Sequence, residues 1–225
     1  MLKAIIFDAY GTLFFTGNGS VKAVRRILTA NGHPEMCAEE VYAHWKVWHR
    51  KHMEELSDFR TEAEIYALDL EELYRQYGFS RDPRQDVAMM LQIQGTRVAF
   101  PEVKEVVEEL GKEYVIAIGS TTDTAPLIKD LERSALPITK IFTSESLRLY
   151  KPREEFYTTI LSELGLSPSE ALFVGDSLLN DVEGPKKVGL HTCWINRNHQ
   201  KALSACPDFE IQSMTQLFQV VKMIS

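Results

Sequence analysis

Ala4-Ile5-Ile6-Phe7-Asp8-Ala9-Tyr10-Gly11-Thr12-Leu13 is a short apolar run that ends in an acid and a tight turn. Such a run is a buried parallel strand that delivers a carboxylate to the C-terminal edge of a sheet, where open α/β folds do their chemistry. Gly11 and Thr12 let the chain turn sharply, so that backbone N–H groups can face whatever the Asp8 carboxylate attacks. Taken alone, the stretch reads equally well as a strand and a turn in which Asp8 only caps the next element.

Three further segments repeat the pattern. Tyr114-Val115-Ile116-Ala117-Ile118-Gly119 is a second buried strand, ending at Ser120-Thr121, two hydroxyls able to bind an anion. Lys151-Pro152 follows Ile141-Phe142 and the polar stretch Thr143 to Tyr150, and opens a helix from Arg153 to Leu164. Ala171-Leu172-Phe173-Val174-Gly175 is another strand, ending at Asp176-Ser177 with Asn180-Asp181 behind it. Each polar group stands at or soon after the C-terminal end of a strand, as ligand sites of open parallel sheets require.

In this order the four segments resemble the haloacid dehalogenase-like (HAD) hydrolase superfamily, whose motifs are an Asp nucleophile, a Ser or Thr, a Lys and a terminal acidic pair. The resemblance covers about residues 1–15 and 100–200. It implies a Rossmann-like three-layer α/β core with a parallel sheet. Between the first two motifs, from about Ser20 to Ile93, β-rich runs are absent. Apolar residues recur there at helical spacing: Val21, Val24, Ile27 and Leu28, then Val41, Trp45, Trp48 and His52, then Ile65, Leu68 and Leu73. Asn31-Gly32-His33-Pro34, Ser57-Asp58 and Gly78-Phe79-Ser80 punctuate them. This four-helix insert is similar to the helical cap that many superfamily members carry. The expected division is a core of residues 1–15 and 100–225 and a small all-helical cap domain of residues 16–99, with hinges at Phe14 to Asn18 and Gly95 to Pro101. After Pro101 helices alternate with strands: Glu102 to Gly111, Ala125 to Ala135, the strand His191 to Ile195 and a closing helix Met214 to Met223.

Composition is compatible with such an enzyme. With 225 residues, 44% of them hydrophobic, the chain can bury a core and a second small domain. A net charge of −7 argues against nucleic acid or an anionic membrane as partner. No apolar run approaches the roughly 20 residues of a membrane span. Met1-Leu2-Lys3 runs straight into a strand, with no signal-like segment. Cys37, Cys193 and Cys206 are three, without metal-ligand spacing, so reduced thiols are the default. The expectation is a cytoplasmic monomer or homodimer acting on a small anionic substrate.

The resemblance implies a two-step displacement, in which Asp8 attacks phosphorus or carbon and water hydrolyses the covalent aspartyl intermediate. Ser120 and Lys151 would hold the anion and neutralise charge at the centre under attack, and Tyr10, Thr12 and Thr121 would line the substrate. The two ends of the site then disagree. In the superfamily's phosphatases the residue two after the nucleophile is usually a second Asp, which protonates the leaving alkoxide; here it is Tyr10. A phenol of pKa about 10 is a poor base, and losing a positioned general acid–base costs about 10²- to 10⁴-fold. Tyr10 and Tyr157 instead match the 2-haloacid dehalogenases, whose halide leaves without a proton.

Asp176 points the other way, because phosphatases with Gly-Asp-Ser at this place use the Asp to bind Mg²⁺, whereas dehalogenases use no metal. Asp8, Asp176 and Asp181 bring three negative charges against Lys151. At about 4 Å and an effective dielectric near 20, each unbalanced like-charge pair costs about 4 kcal/mol. A divalent ion restores balance, and an oxygen site from Asp8, the Tyr10 carbonyl, Asp176, Asp181, waters and substrate suits Mg²⁺. The dehalogenases' cap arginine is also missing, since no Arg lies between Arg26 and Arg50, and Thr121 stands where they have Asn.

One basic, aromatic-rich stretch, His44 to His52, remains. Its plainer reading is a helix with Trp45, Trp48 and His52 on the core face and the cations solvated. Its functional reading is that Lys46, His49 or Arg50 selects an anionic substrate, with a Schiff-base role for Lys51 a remoter option. The sequence therefore leads to a Mg²⁺-dependent phosphatase of a small phosphorylated metabolite. A metal-free 2-haloacid dehalogenase is the first alternative, and a non-catalytic ligand- or protein-binding relative the second.

Overall fold

Ala4–Phe7 forms β1, buried at all four positions. In the computed structural model, which describes residues 1–201 and 206–224, seven further strands follow. They are β2 (Phe14–Phe15), β3 (Val98–Ala99), β4 (Val115–Ser120), β5 (Lys140–Thr143), β6 (Ala171–Gly175), β7 (His191–Ile195) and β8 (Phe209–Ile211). Six of them make one parallel sheet in the order β5-β4-β1-β6-β7-β8, with β1 paired to β4 on one side and β6 on the other. The order reverses about β1. The C-terminal ends of β4, β1 and β6 therefore border the switch point at which open α/β sheets bind ligands.

Two compact units divide the chain: Met1–Phe15 with Val98–Ser225, and Thr16–Arg97. The second is helical, with α1 (Gly19–Ala30), α2 (Ala38–Glu55), α3 (Glu62–Tyr77) and α4 (Pro83–Leu91) around Val24, Ile27, Leu28, Val41, Trp45, Leu73 and Met90. The ends of α3 and α4 follow ordinary capping chemistry. Thr61 and Glu64 form a capping box, Asp82 caps a helix that opens with Pro83, and Gly78 closes α3 at φ +71°.

The first unit carries α5 (Val103–Leu110), α6 (Thr124–Ser134), α7 (Ser144–Leu147), α8 (Glu154–Leu164), α9 (Gly184–Lys187) and α10 (Leu217–Ile224). Strand alternation separates two cores. Ile5 and Phe7 of β1 pack with Val106 and Val107 of α5, Leu127 of α6 and Leu217 of α10, whereas Ala4 and Ile6 pack with Phe156, Tyr157 and Ile160 of α8. Helices thus cover both faces of the sheet, giving the Rossmann-like three-layer α/β architecture. Each fully buried Ile or Phe contributes about 1.5–3 kcal/mol.

Several elements differ from the sequence reading. Phe14–Phe15 and Val98–Ala99, inside the expected hinges, pair as a short antiparallel ladder. The polar stretch after Phe142 contains α7, capped by Thr143. The closing helix starts with a 3₁₀ turn, Met214–Gln216, before α10. Trp48 and His52 are only half-buried, and the acid Asp69 takes the interior place between α2 and α3. Its carboxylate accepts bonds from Trp45 Nε1 at 2.9 Å, His49 Nδ1 at 2.7 Å and His52 Nδ1 at 2.6 Å. Among the described residues no helix is long and apolar enough to cross a membrane.

A second buried acid joins the other helices. Asp86 accepts from Arg81 at 2.9 Å, from Asn31 at 3.2 Å and from the Tyr74 hydroxyl. Burial alone would raise the Asp86 carboxyl, but the Arg81 and Tyr74 bonds and the Arg81 charge hold it below the usual carboxylate range. A carboxyl lowered in the fold stabilises at pH values above its unfolded pKa, and that contribution disappears as pH falls through the folded value. Asp86→Asn is therefore expected to cost about 2 kcal/mol at pH 7, with the gap to wild type closing on acidification through the carboxylate range. Thermal unfolding of both proteins from pH 7 to pH 3 checks this; a gap that does not change with pH would contradict it.

Candidate active site

Asp8 follows β1 directly, and its N–H donates to the Val174 carbonyl at 2.8 Å, fixing it beside the end of β6. Its Oδ1 accepts from Ser120 Oγ at 3.0 Å and from Lys151 Nζ at 2.7 Å. No hydrogen bond from the described residues reaches Oδ2. One oxygen is held and the other is free to meet an electrophile.

Lys151 is buried and also donates to Asp181 Oδ1 at 2.7 Å, while its ammonium lies 5.3 Å from the centre of the Phe173 ring. Burial opposes its charge, but Asp181 and Asp8 outweigh burial and raise its pKa, so the ammonium stays protonated. Asp181 sits in a single π-helical turn, Leu178–Glu183, and its other oxygen accepts from the Ser177 N–H at 2.9 Å. Two contacts fix that turn. Tyr157 donates to the Asn180 carbonyl at 2.5 Å, and Gly175 leaves room for the acid, because a Cβ there would lie 2.2 Å from Asp181 Cγ.

Asp176, just past β6, is crowded by protein yet open to solvent. Trp194 Nε1 donates to its carbonyl at 2.9 Å. Its carboxylate lies against Gly11, where φ is +96° and a Cβ would come within 2.4 Å of Asp176 Oδ2, so both the turn and the contact require glycine. Burial first, then the charges of Asp8 and Asp181, push the Asp176 carboxyl above the usual range against the pull of Lys151. Asp181 is raised as well, by burial and Asp8, with Lys151 opposing. One carboxylate oxygen from each of Asp8, Asp176 and Asp181 lies within 4.8 Å of the others. This all-oxygen, over-negative donor set fits a hard divalent cation.

Comparison with known proteins places the chain in a family. The family model for haloacid dehalogenase-like hydrolases matches residues 2–189. The chain belongs to this hydrolase family. Among curated HAD relatives, the glyceraldehyde 3-phosphate phosphatase of Methanopyrus kandleri is 25% identical, over 99% of this chain and 98% of its own. The (S)-2-haloacid dehalogenase 4A of Burkholderia cepacia is 27% identical, over 87% of this chain and 84% of its own. Among solved structures, the magnesium-bound HAD-hydrolase YfnB of Bacillus subtilis shares the fold at a TM-score of 0.81 and 21% identity, covering 98% of each chain.

The HAD fold thus gathers Asp8, Ser120, Lys151, Asp176 and Asp181 at one sheet edge. Other sequence candidates have different surroundings. The Tyr10 phenol donates to buried Asp130 of α6 at 2.9 Å, so its proton is engaged there. Thr12 is fully buried, and its Oγ1 and the Thr121 Oγ1 find no partner among the described residues. Lys46 and His49 belong to the helical unit, where the Lys46 ammonium stands 5.3 Å from the Tyr42 ring centre and His49 Nδ1 bonds Asp69. Sequence reasoning missed Trp194 and Asp130, whose partners are neighbours only through the fold.

Removing a buried cation leaves two carboxylates uncompensated, which costs about 3–5 kcal/mol. Lys151→Met is expected to lower stability by about that much, and adding Asp181→Asn to recover part of it, because one buried charge then disappears. Chemical denaturation of the two variants and wild type measures this. Additive losses in the double variant would contradict the shared-cation arrangement.

Proposed function

We propose that this HAD hydrolase is a Mg²⁺-dependent phosphatase of small phosphorylated metabolites, with Asp8 as the nucleophile. The observation that carries the reading is Asp176, a carboxylate lodged against Gly11 within reach of Asp8 and Asp181, with Lys151 as the bonded cation among them. A metal-free mechanism has no use for that third negative charge. The likeness to a glyceraldehyde 3-phosphate phosphatase along nearly the whole chain supports the same reading.

Asp8 Oδ2 attacks phosphorus, the bond to the leaving oxygen breaks, and the phosphoryl group passes to the carboxylate. Ser120 and Lys151 keep Oδ1 fixed. Water then attacks phosphorus, freeing phosphate and restoring Asp8. Asp8, the Tyr10 carbonyl, Asp176 and Asp181 would hold Mg²⁺, which would supply charge neutralisation of the transferring group. The Tyr10 phenol, committed to Asp130, is no substitute for a carboxylic acid, which favours aryl or acyl phosphates over alkyl esters.

The same Tyr10 favours the second reading, 2-haloacid dehalogenation, in which no proton is needed by the leaving group. A panel of aryl phosphates and 2-haloacids separates the two. Excess EDTA is expected to abolish phosphate release and added Mg²⁺ to restore it. Asp176→Asn is expected to reduce turnover at least 100-fold while raising the melting temperature of the metal-free protein, since it removes a like charge. Halide release that persists in EDTA, without phosphate release in Mg²⁺, would establish the dehalogenase instead.

A further inference from the structure

Arg197 lies two residues past β7 and beyond the 2–189 segment matched by the HAD family model. Its surroundings are unusual for an arginine at the end of a strand, since its side chain is only 18% exposed. One terminal nitrogen bonds Glu102 Oε1 at 2.7 Å, and the other donates to the Thr12 carbonyl at 3.1 Å. The guanidinium lies 3.7 Å from the centre of the Phe100 ring, and Nε is buried without a partner among the described residues.

These contacts converge on one segment. The loop after Asp8 is held locally by Gly11 N–H to the Phe14 carbonyl at 2.9 Å and by Leu13 and Phe14 N–H to the Ala9 carbonyl at 2.8 and 2.9 Å. Phe100 N–H bonds the Leu13 carbonyl at 3.0 Å, so the loop and the strand returning at Val98–Ala99 are already joined by backbone. The Arg197 side chain grips both, through Thr12 on one and Phe100 and Glu102 on the other. Leaving a buried guanidinium nitrogen unpaired costs about 1–3 kcal/mol or more. A residue whose only task was the Glu102 ion pair would not need to be buried at that cost.

We propose that Arg197 is a positioning residue for the nucleophile loop: by fixing the Thr12 carbonyl it sets the backbone of residues 10–13, and through it the turn that carries Tyr10 and Gly11 past Asp8. Glu102 neutralises the guanidinium, and among the described residues no hydrogen bond joins it to the loop. The inference rests on Asp8 as nucleophile but is indifferent to whether phosphorus or carbon is attacked. A displacement of about 1 Å at a reacting group costs on the order of 10²-fold in rate.

Two readouts test it, one of them independent of turnover. In Arg197→Ala, amide hydrogen exchange at residues 11–14 is expected to accelerate at least 10-fold, while the strands β1 and β6 stay protected. On whichever substrate class the wild type turns over, kcat is expected to fall about 10- to 100-fold with KM little changed, and millimolar guanidinium is expected to restore part of it. Glu102→Gln is expected to lower the melting temperature while leaving loop exchange and kcat within about 3-fold. If Arg197→Ala does not fold, Arg197→Lys serves, with a smaller loss expected because one ammonium cannot span Thr12 and Glu102 together. Unchanged exchange at residues 11–14, or a kcat loss matched by Glu102→Gln, would overturn the proposal. A wild type inactive on both substrate classes would count against the proposed function, with the exchange measurement still deciding the role of Arg197.

Discussion

Lys151 holds its charge out of water because Asp8 and Asp181 each lie 2.7 Å from its ammonium, and each acid in turn depends on it. A buried ion pair of this kind is weak as a source of stability, since desolvation offsets much of the attraction. Its effect is on position and on keeping the Lys151 ammonium charged. Lys151 arrives at the start of α8, Asp8 at the end of β1 and Asp181 from a π-helical turn, and the shared ammonium fixes all three relative to one another. Ser120 adds a second donor to Asp8 Oδ1, so the carboxylate has one orientation and one free oxygen.

The sheet makes this arrangement possible at close quarters. Gly175 and Gly11 are the places where a side chain would collide with Asp181 and Asp176, at 2.2 and 2.4 Å. Their hydrogens give the acids room to stand next to the strand ends instead of being pushed outward. The resulting excess of negative charge costs folding energy, and on the proposed function it is this excess that a divalent cation would offset. The helical unit uses buried acids differently. Asp69 is bonded by Trp45, His49 and His52 and Asp86 by Tyr74, Asn31 and Arg81, and their role is to tie helices together.

Much of the core is legible in the sequence because parallel strands buried on both faces read as continuous apolar runs: Ala4 to Phe7, Val115 to Gly119 and Ala171 to Gly175. The motif residues stand at their ends, so the sequence alone puts Asp8, Ser120, Lys151 and Asp176 on one edge. The features that stay hidden are short or non-local. Phe209–Ile211 is a three-residue strand with a glutamate at its centre, and the β2–β3 ladder has two residues a side. The Tyr10–Asp130 bond spans 120 positions and the Arg197–Thr12 bond 185, distances over which periodicity carries no information. Asp69 falls on a helix face that spacing assigns to apolar residues, and only its partners on α2 explain its burial.

The claim on which the rest depends is covalent attack by Asp8. Single-turnover hydrolysis in ¹⁸O-water, followed by mass spectrometry of the peptide containing Asp8, tests the chemistry of attack. For a phosphate ester attacked by Asp8, water cleaves the intermediate at phosphorus, so ¹⁸O is expected in the released phosphate with Asp8 unlabelled, and acid quenching is expected to trap a phosphoryl group on Asp8. Label in the Asp8 carboxylate would mean attack on carbon, and phosphate release with no trapped Asp8 adduct would mean direct attack by water, contradicting the nucleophilic role.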